Sequence, residues 1–133
     1  MEKTLVLIKP DGMKRGLAGK ILSYYEVSNL EIKAIKLVAP SREILSQHYK
    51  EHEGKGFYED LISFMLSGPS IALILEGEKS ISKVRSINGN TDPALADSGT
   101  IRGDLAESKN HNLVHGSDSI ESAQREIKIW FPS

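Results

Sequence analysis

The sequence predicts an α+β fold in which four short strands form one antiparallel sheet covered by helices. Two continuous apolar runs, at 5–8 and 71–75, are typical of buried central strands. Stretches with apolar residues three and four positions apart, typical of amphipathic helices, lie between these runs and beyond them. The resulting order, strand–helix–strand–two helices–strand–helix–strand–helix, matches a ferredoxin-like βαββαβ domain with an inserted helix pair. We expect the helices to cover one face of this sheet.

Local patterns predict the bounds of each element. The second strand changes its apolar alternation near Ala34, which predicts a bulge. Asp118, with Glu121 three residues later, is typical of an N-cap and its capping-box partner at the start of the last helix. The predicted strands are 5–8, 30–38, 71–75 and 113–115, and the predicted helices are 13–28, 40–49, 57–66, 79–87 and 119–131. The predicted apolar faces are Phe57, Leu61, Phe64 and Met65 in the helix predicted over 57–66, and Ile120, Ala123, Ile127 and Trp130 in the last helix.

Residues 88–112 match no regular element. They hold glycines and a proline among Asn, Asp, Ser and Thr, and a segment of this length inside a compact domain is commonly functional or disordered. Four apolar residues favour an ordered loop: Ala94, Leu95, Ile101 and Leu105.

Composition excludes several classes of protein. We expect one domain, 1–133, which is long enough to bury a core without disulfides. The 17 Lys and Arg residues balance 18 Asp and Glu residues, which argues against a general nucleic-acid-binding or membrane-surface protein. There is no cysteine, so thiolate metal sites and cysteine nucleophiles are excluded. The N-terminal apolar run is too short for a signal peptide or a membrane span, so we expect a cytoplasmic protein.

His115 lies between the short fourth strand and the start of the last helix. Backbone N–H groups and the helix dipole favour a bound anion at such a position. A neutral imidazole is also a nucleophile near neutral pH. The pattern is therefore compatible with a histidine that accepts a phosphoryl group, although this stretch alone favours an exposed histidine in a polar turn.

Glu126 lies beside the apolar face of the last helix, where a carboxylate needs a partner. A charge-assisted hydrogen bond to His115 would contribute about 1.5–3 kcal/mol, more than the roughly 0.3–1 kcal/mol of a helix-end effect. It would fix the imidazole tautomer, leave the other ring nitrogen free to attack and stabilise the cationic product. An unpaired glutamate at the edge of the buried face is the alternative.

A phosphoryl group needs cations, and three candidates lie at the ends of elements or in loops. Lys9 follows the first strand, Arg85 lies in a short helix, and Arg102 lies in the 88–112 segment. Arginine suits phosphate because its planar fork donates two parallel hydrogen bonds. The alternatives are a surface lysine and an ion pair between Arg102 and Asp104. Phe57, at a helix start, could stack on a base, although its spacing is better explained by a core position.

His48, Glu51 and His52 together fit the H-x-x-E-H pattern of inverted zinc proteases. They would make the protein a zinc hydrolase with Glu51 as general base. The pattern lies in a short polar helix without a clear third ligand, so coincidence is favoured. A ferredoxin-like RNA-binding module is a further alternative, and the near-neutral charge argues against it.

Five segments together resemble nucleoside diphosphate kinases over essentially the whole chain. They are residues 4–16 (TLVLIKPDGMKRG), 48–57, 67–69 (SGP), 99–104 (GTIRGD) and 112–119 (NLVHGSDS). The last of these matches the active-site signature of the family, which is highly specific.

The resemblance implies Mg²⁺-dependent transfer of the γ-phosphoryl group from a nucleoside triphosphate, mainly ATP, to a nucleoside diphosphate through a phosphohistidine on His115. By position, the residues that match the nucleotide site are Lys9, Tyr49, Phe57, Leu61, Arg85, Thr91, Arg102 and Asn112. Phe57 and Leu61 would hold the base, Lys9 and Asn112 the sugar hydroxyls, and Arg85, Thr91 and Arg102 the phosphates. Lys9 and Tyr49 also match catalytic positions, and Ser117 and Glu126 match residues that support the histidine. Family members are homo-oligomers, tetramers or hexamers built from dimers.

Overall fold

A computed structural model describes residues 1–132 and contains one four-stranded antiparallel sheet in the order β2-β3-β1-β4. The strands are β1 (Glu2–Ile8), β2 (Glu31–Val38), β3 (Ser70–Gly77) and β4 (Val114–Gly116). The helices are α1 (Pro10–Lys14), α2 (Ala18–Glu26), α3 (Arg42–His48), α4 (Tyr58–Leu66), α5 (Ser80–Asn88), α6 (Ile101–Leu105) and α7 (Ile120–Trp130). Short 3₁₀ turns form at Lys50–His52 and Pro93–Leu95. The α+β class and the helix pair inserted between β2 and β3 are therefore confirmed.

β1 is the central strand, and both of its faces are buried. Val6 and Ile8 lie in one apolar cluster, and Leu5 and Leu7 lie in another on the opposite face. Helices α2 and α5 supply Ile21, Tyr25 and Val84 to the first cluster. Helices α3, α4 and α7 supply Leu45, Tyr58, Ile62, Met65 and Trp130 to the second. The expectation that helices cover only one face is therefore wrong, because an unbroken apolar run is what a strand buried on both faces requires.

The helix predicted over 13–28 is two helices, α1 and α2. Gly16 lies between them with φ +68°, a left-handed backbone that glycine adopts without a Cβ penalty. Pro10 occupies the first turn of α1, where its missing N–H costs nothing. As a result β1 passes into α1 through Lys9 alone, and this residue is fixed at the junction.

The bulge in β2 is confirmed as a register shift between Ile32 and Ala34. The predicted face of α4 is confirmed in part: Met65 is buried, and Leu61 and Phe64 pack against the same apolar cluster. Tyr58 and Ile62 also point inward, whereas Phe57 precedes the helix and is 51% exposed. Within residues 1–132, none of the helices combines the length and the apolar character that a membrane span requires.

α7 begins one residue later than the sequence indicates. Ser119, rather than Asp118, is the N-cap, and its hydroxyl accepts the N–H of Ser122 at 3.1 Å. Ala123 and Trp130 of the predicted face are buried, and Ile127 packs against the same apolar cluster. Ile120 is exposed instead, and Glu126 is only 4% exposed. The inner face of α7 therefore carries a carboxylate.

The 88–112 segment is ordered around α6. The Thr100 hydroxyl caps this helix by accepting the N–H of Gly103 at 3.0 Å. Ile101 is buried as expected, but Leu95 is 68% exposed. Gly103 lies so close to the backbone of Asp97 that a side chain there would collide with its carbonyl oxygen. This close approach holds the two parts of the segment together.

We expect Gly103→Ala to lower the free energy of unfolding by about 1–3 kcal/mol, because the new methyl group must push the Asp97 backbone away. Gly19→Ala is the matched control, since nothing lies within 4 Å of a Cβ at that position in α2. That control should gain about 0.5–1 kcal/mol. Urea unfolding at one protein concentration measures both. Equal effects of the two variants would contradict the packing described here.

Candidate active site

An open cleft of about 1100 Å³ lies between the 88–112 segment and residues of α3, α5 and α7. The predicted nucleotide-binding and catalytic residues that line it are Lys9, Tyr49, Arg85, Thr91, Arg102, Asn112, His115 and Glu126. Ser117 is buried behind this lining. Phe57 and Leu61 do not line the cleft; Leu61 packs against the cluster beneath α3, α4 and α7. The Phe57 ring lies 5.3 Å from that of His52, which does line the cleft.

His115 and Glu126 are in direct contact at the inner wall of the cleft. The Nε2 atom of His115 lies 2.8 Å from Oε1 of Glu126, and the Ser117 hydroxyl donates to the same oxygen at 2.8 Å. A carboxylate oxygen only accepts hydrogen bonds, so Nε2 carries the proton and Nδ1 keeps a lone pair. The N–H of Leu5 in turn donates to Ser117 Oγ at 3.2 Å. This chain of bonds ties the carboxylate to the central strand.

Arg125 lies on the other side of the Glu126 carboxylate. Its Nη2 atom is 3.7 Å from Oε2 of Glu126, and its Nη1 donates to the carbonyl of Gln47 at 2.9 Å. A buried carboxylate needs hydrogen bonds and a compensating charge. His115, Ser117 and Arg125 supply both, and Arg125 also links α7 to α3.

His48 packs against the ring of His115. The two ring centroids are 4.6 Å apart with the planes at 75°. The indole N–H of Trp130 donates to Nδ1 of His48 at 3.0 Å. Burial holds the pKa of His48 well below its usual value, and the charges of His115, Arg125, Lys9 and His52 add to that effect.

The predicted zinc set of His48, Glu51 and His52 is not brought together. His48 ends α3, whereas Glu51 and His52 lie in the following 3₁₀ turn, and Nδ1 of His52 is 3.2 Å from the Lys55 ammonium. Within residues 1–132, the group whose ligand atoms lie within 4.8 Å of one another is His48, His115 and Glu126. The H-x-x-E-H pattern is therefore not a metal site in this fold.

Lys9 and Asn112 form one side of the cleft. The Lys9 ammonium donates to Oδ1 of Asn112 at 3.1 Å, and Nδ2 of Asn112 donates to the Thr91 carbonyl at 3.3 Å. Burial, together with the charge of Arg102, lowers the pKa of Lys9 to about 8. An anion bound in the cleft would stabilise the charged ammonium and raise the pKa of Lys9 again.

Arg102 connects the 88–112 segment to β4. Its guanidinium donates to the carbonyls of Gly89 at 2.8 Å, Val114 at 2.7 Å and Asn112 at 3.3 Å. Burial lowers its pKa. The alternative ion pair with Asp104 is wrong, because the Asp104 carboxylate accepts instead from the Tyr24 hydroxyl and the Gly99 N–H. Arg102 therefore holds the cleft wall in place and keeps N–H groups for a ligand.

Tyr49 places a buried hydroxyl at the cleft that has no hydrogen-bond partner within the described residues. Burial raises the pKa of this phenol, with a smaller contribution from the charge of Glu126. Buried polar groups are normally hydrogen-bonded, so this hydroxyl lacks a partner that a molecule bound in the cleft would supply.

A family model described as "Nucleoside diphosphate kinase" matches residues 2–133. The chain belongs to the nucleoside diphosphate kinase family. Among curated relatives named nucleoside diphosphate kinase, that of Caldanaerobacter subterraneus is 57% identical and covers 99% of this chain and 95% of the relative. That of Mycobacterium tuberculosis is 56% identical over 98% of this chain and 97% of the relative.

Solved structures of nucleoside diphosphate kinases match the fold closely. The apo enzyme of Encephalitozoon cuniculi has a TM-score of 0.98 at 39% identity, over 100% of this chain and 90% of that one. The enzyme of Halobacterium salinarum, solved in complex with CDP, has a TM-score of 0.96 at 41% identity. The match covers 99% of this chain and 88% of that one.

His48 and Arg125 line the cleft of this nucleoside diphosphate kinase family member, but the sequence predicted no nucleotide-binding or catalytic role for them. His48 carried a signal, but its spacing to His52 indicated zinc rather than a contact with His115. Arg125 gave no signal, because its partners Gln47 and Glu126 are recognised only when α3 and α7 are packed together.

Proposed function

We propose that the protein is a nucleoside diphosphate kinase that transfers the γ-phosphoryl group of a nucleoside triphosphate, mainly ATP, to a nucleoside diphosphate. The single observation that carries the proposal is the 2.8 Å contact between His115 and Glu126 in a cleft lined by Lys9, Arg85 and Arg102. It combines an oriented nucleophile with the cations that phosphoryl transfer needs. No observation favours the zinc hydrolase.

The reaction would proceed in two half-reactions on His115. In the first, the Nδ1 lone pair forms a bond to the γ-phosphorus while the bond from that phosphorus to the β–γ bridging oxygen breaks. The nucleoside diphosphate leaves with the electron pair, and the phosphoryl group stays on Nδ1. The Nε2–H of the resulting cationic ring is hydrogen-bonded to Glu126, which stabilises it. In the second half-reaction, a β-phosphate oxygen of another nucleoside diphosphate attacks the phosphorus. The bond from phosphorus to Nδ1 breaks, and a nucleoside triphosphate leaves.

The cleft walls support a nucleotide pose with its phosphates at His115. Arg85, Thr91 and Arg102 would bind phosphates, and Lys9 and Asn112, already hydrogen-bonded to each other, would bind the sugar hydroxyls.

The base would lie at the outer edge of the cleft. The half-exposed Phe57 ring offers a stacking face there, with Leu61 behind it. Tyr49 would direct its unpaired hydroxyl at the bound phosphates or sugar. Stacking without base-edge contacts tolerates every base, so we expect broad base tolerance.

Mg²⁺ is the metal ion we propose for this reaction. It favours oxygen ligands and commonly binds through substrate phosphates with one or two carboxylates. The cleft lining offers the carboxylates of Asp97 and Asp118, whereas the group of His48, His115 and Glu126 contains two imidazoles and suits Mg²⁺ poorly. When bound, the ion would neutralise charge on the β- and γ-phosphates.

We also propose a homo-oligomer, a tetramer or a hexamer built from dimers. In support, β2 is an edge strand, and Ile35 and Leu37 on it are 50% and 66% exposed. Exposed apolar side chains on an edge strand are typical of a surface that another chain covers. The single domain over 1–133 and the cytoplasmic location stay predictions.

We expect protein incubated with γ-labelled ATP and Mg²⁺, without acceptor, to take up label that is acid-labile and base-stable. His115→Ala should abolish labelling because the nucleophile is gone, and Glu126→Gln should slow it about 10²-fold. His111→Ala is the matched control, since that histidine is exposed and outside the cleft, and it should label like the wild type. Added GDP should remove the label from the protein. Label that persists in His115→Ala would contradict the proposal.

We expect the affinity for ADP to fall about tenfold as the pH rises through about 8, the pKa of Lys9 in the free protein. The ammonium is the charged form, so above that pH the cleft loses one positive charge that attracts the nucleotide. Calorimetry between pH 6.5 and 9.5 measures the dissociation constant. Lys9→Arg stays protonated throughout, and its profile should lack the bend. Identical profiles for the two proteins would exclude Lys9 as the cause.

A further inference from the structure

We propose that Trp130 and His48 form a positioning pair for the nucleophile. Trp130 holds His48 as an uncharged imidazole protonated on Nε2, and the edge of that ring fixes the plane of His115 and keeps a second positive charge away from the phosphohistidine. This inference rests on the proposed function, because it assigns a role beside the same histidine.

The tautomer of His48 follows from its hydrogen bond to Trp130. An indole N–H can only donate, so Nδ1 of His48, 3.0 Å away, must hold a lone pair. A neutral ring then carries its proton on Nε2. Protonating Nδ1 would break this bond and leave the indole N–H without an acceptor, because Trp130 is buried. The hydrogen bond therefore selects one tautomer and opposes the cationic form.

The orientation of His115 depends on two contacts rather than one. Its bond to Glu126 fixes one ring nitrogen but leaves the ring free to turn about that bond. The His48 ring, 4.6 Å away and nearly perpendicular, packs against the ring itself. Glu126 and Trp130 are four residues apart on the same face of α7. One helix therefore supplies both restraints, directly and through His48.

The charges around His48 make its neutrality important. His115 faces it from β4, Lys9 from the end of β1, His52 from the 3₁₀ turn, and Arg125 and Glu126 from α7. Glu126 is the one carboxylate of this set, and it is already bonded to His115 and Ser117. A protonated His48 would add its charge beside the cationic ring of the phosphoenzyme and destabilise that intermediate.

The same cluster has the composition of a metal site, but its hydrogen bonds argue against one. A metal ion needs a nitrogen lone pair from each histidine. His115 keeps a lone pair on Nδ1, but the one lone pair of neutral His48 accepts the Trp130 N–H. A metal ion bound to His48 would therefore break its bond to Trp130. The arrangement suits two imidazoles that act on each other.

The first test measures which ring nitrogen of His48 is protonated, by NMR of the ¹⁵N-labelled protein. The protein has only 4 histidines. We expect Nδ1 unprotonated and Nε2 protonated from pH 5 to 9, and unchanged when Zn²⁺ is added. Trp130→Phe keeps an aromatic ring but removes the donor, so His48 should then sample both tautomers and titrate. Titration of His48 in the wild type, or a Zn²⁺-induced shift of both His48 and His115, would overturn the proposal.

The second test is the single-turnover rate of phosphoenzyme formation as a function of pH. Trp130→Phe should lower this rate about tenfold, most strongly at acidic pH, and should change the nucleotide dissociation constant less than twofold. The double variant His48→Phe/Trp130→Phe should regain the rate lost at acidic pH, because a phenylalanine ring at position 48 cannot become charged. A purely structural role predicts that the second substitution adds to the damage of the first.

Two further variants keep the result interpretable. Tyr25→Phe removes another buried aromatic donor, whose hydroxyl lies 2.6 Å from Oδ1 of Asn88 on the opposite face of the sheet. It should lower stability without shifting the acid limb, the part of the pH profile in which the rate of phosphoenzyme formation falls at low pH. His48→Asn keeps an acceptor for Trp130 but removes the ring contact, so it should slow phosphorylation at every pH alike. An acid limb that moves equally in Tyr25→Phe and Trp130→Phe would overturn the proposal. If the wild type forms no phosphoenzyme, the proposed function fails, and the NMR result decides the tautomer separately.

Discussion

The hydrogen bond between Glu126 and His115 is the interaction on which the rest of the site depends. It requires a carboxylate inside the protein, and Glu126 is 4% exposed at the inner face of α7. Burying that charge is unfavourable unless it is fully hydrogen-bonded and balanced. Ser117 and His115 both donate to Oε1 of Glu126, and the Arg125 guanidinium lies near Oε2. The site is therefore a small polar network within an apolar layer, and satisfying the Glu126 carboxylate fixes Nε2 of His115.

The central strand gives this network its fixed frame. β1 is buried on both faces, and it carries Leu5, whose N–H donates to Ser117, and Leu7, which pairs across the sheet with His115. The strand is followed directly by Lys9, whose ammonium donates to Asn112. The same backbone therefore positions both the support of the nucleophile and a residue of the nucleotide wall. Residues on rigid strands hold a geometry more precisely than residues on loops.

Much of the fold could be predicted because it depends on local patterns. Apolar runs located β1 and β3, and the change of phase near Ala34 located a real bulge. Predictions failed where distant packing decides the outcome. Apolar spacing located Ala123 and Trp130 on the inner face of α7 but not the exposure of Ile120 or the full burial of Glu126, which bonds to Ser117. His48 finds its partner Trp130 82 positions along the chain, which no local pattern can indicate.

The most direct test of the account is to identify the ring nitrogen of His115 that carries the phosphoryl group. Because Glu126 engages Nε2, the account requires attack by Nδ1. The phosphoenzyme prepared from protein labelled with ¹⁵N at both imidazole nitrogens shows ³¹P–¹⁵N coupling to the bonded nitrogen. The account predicts coupling to Nδ1 of His115. Coupling to Nε2, or a phosphoryl group on any other residue, would contradict it.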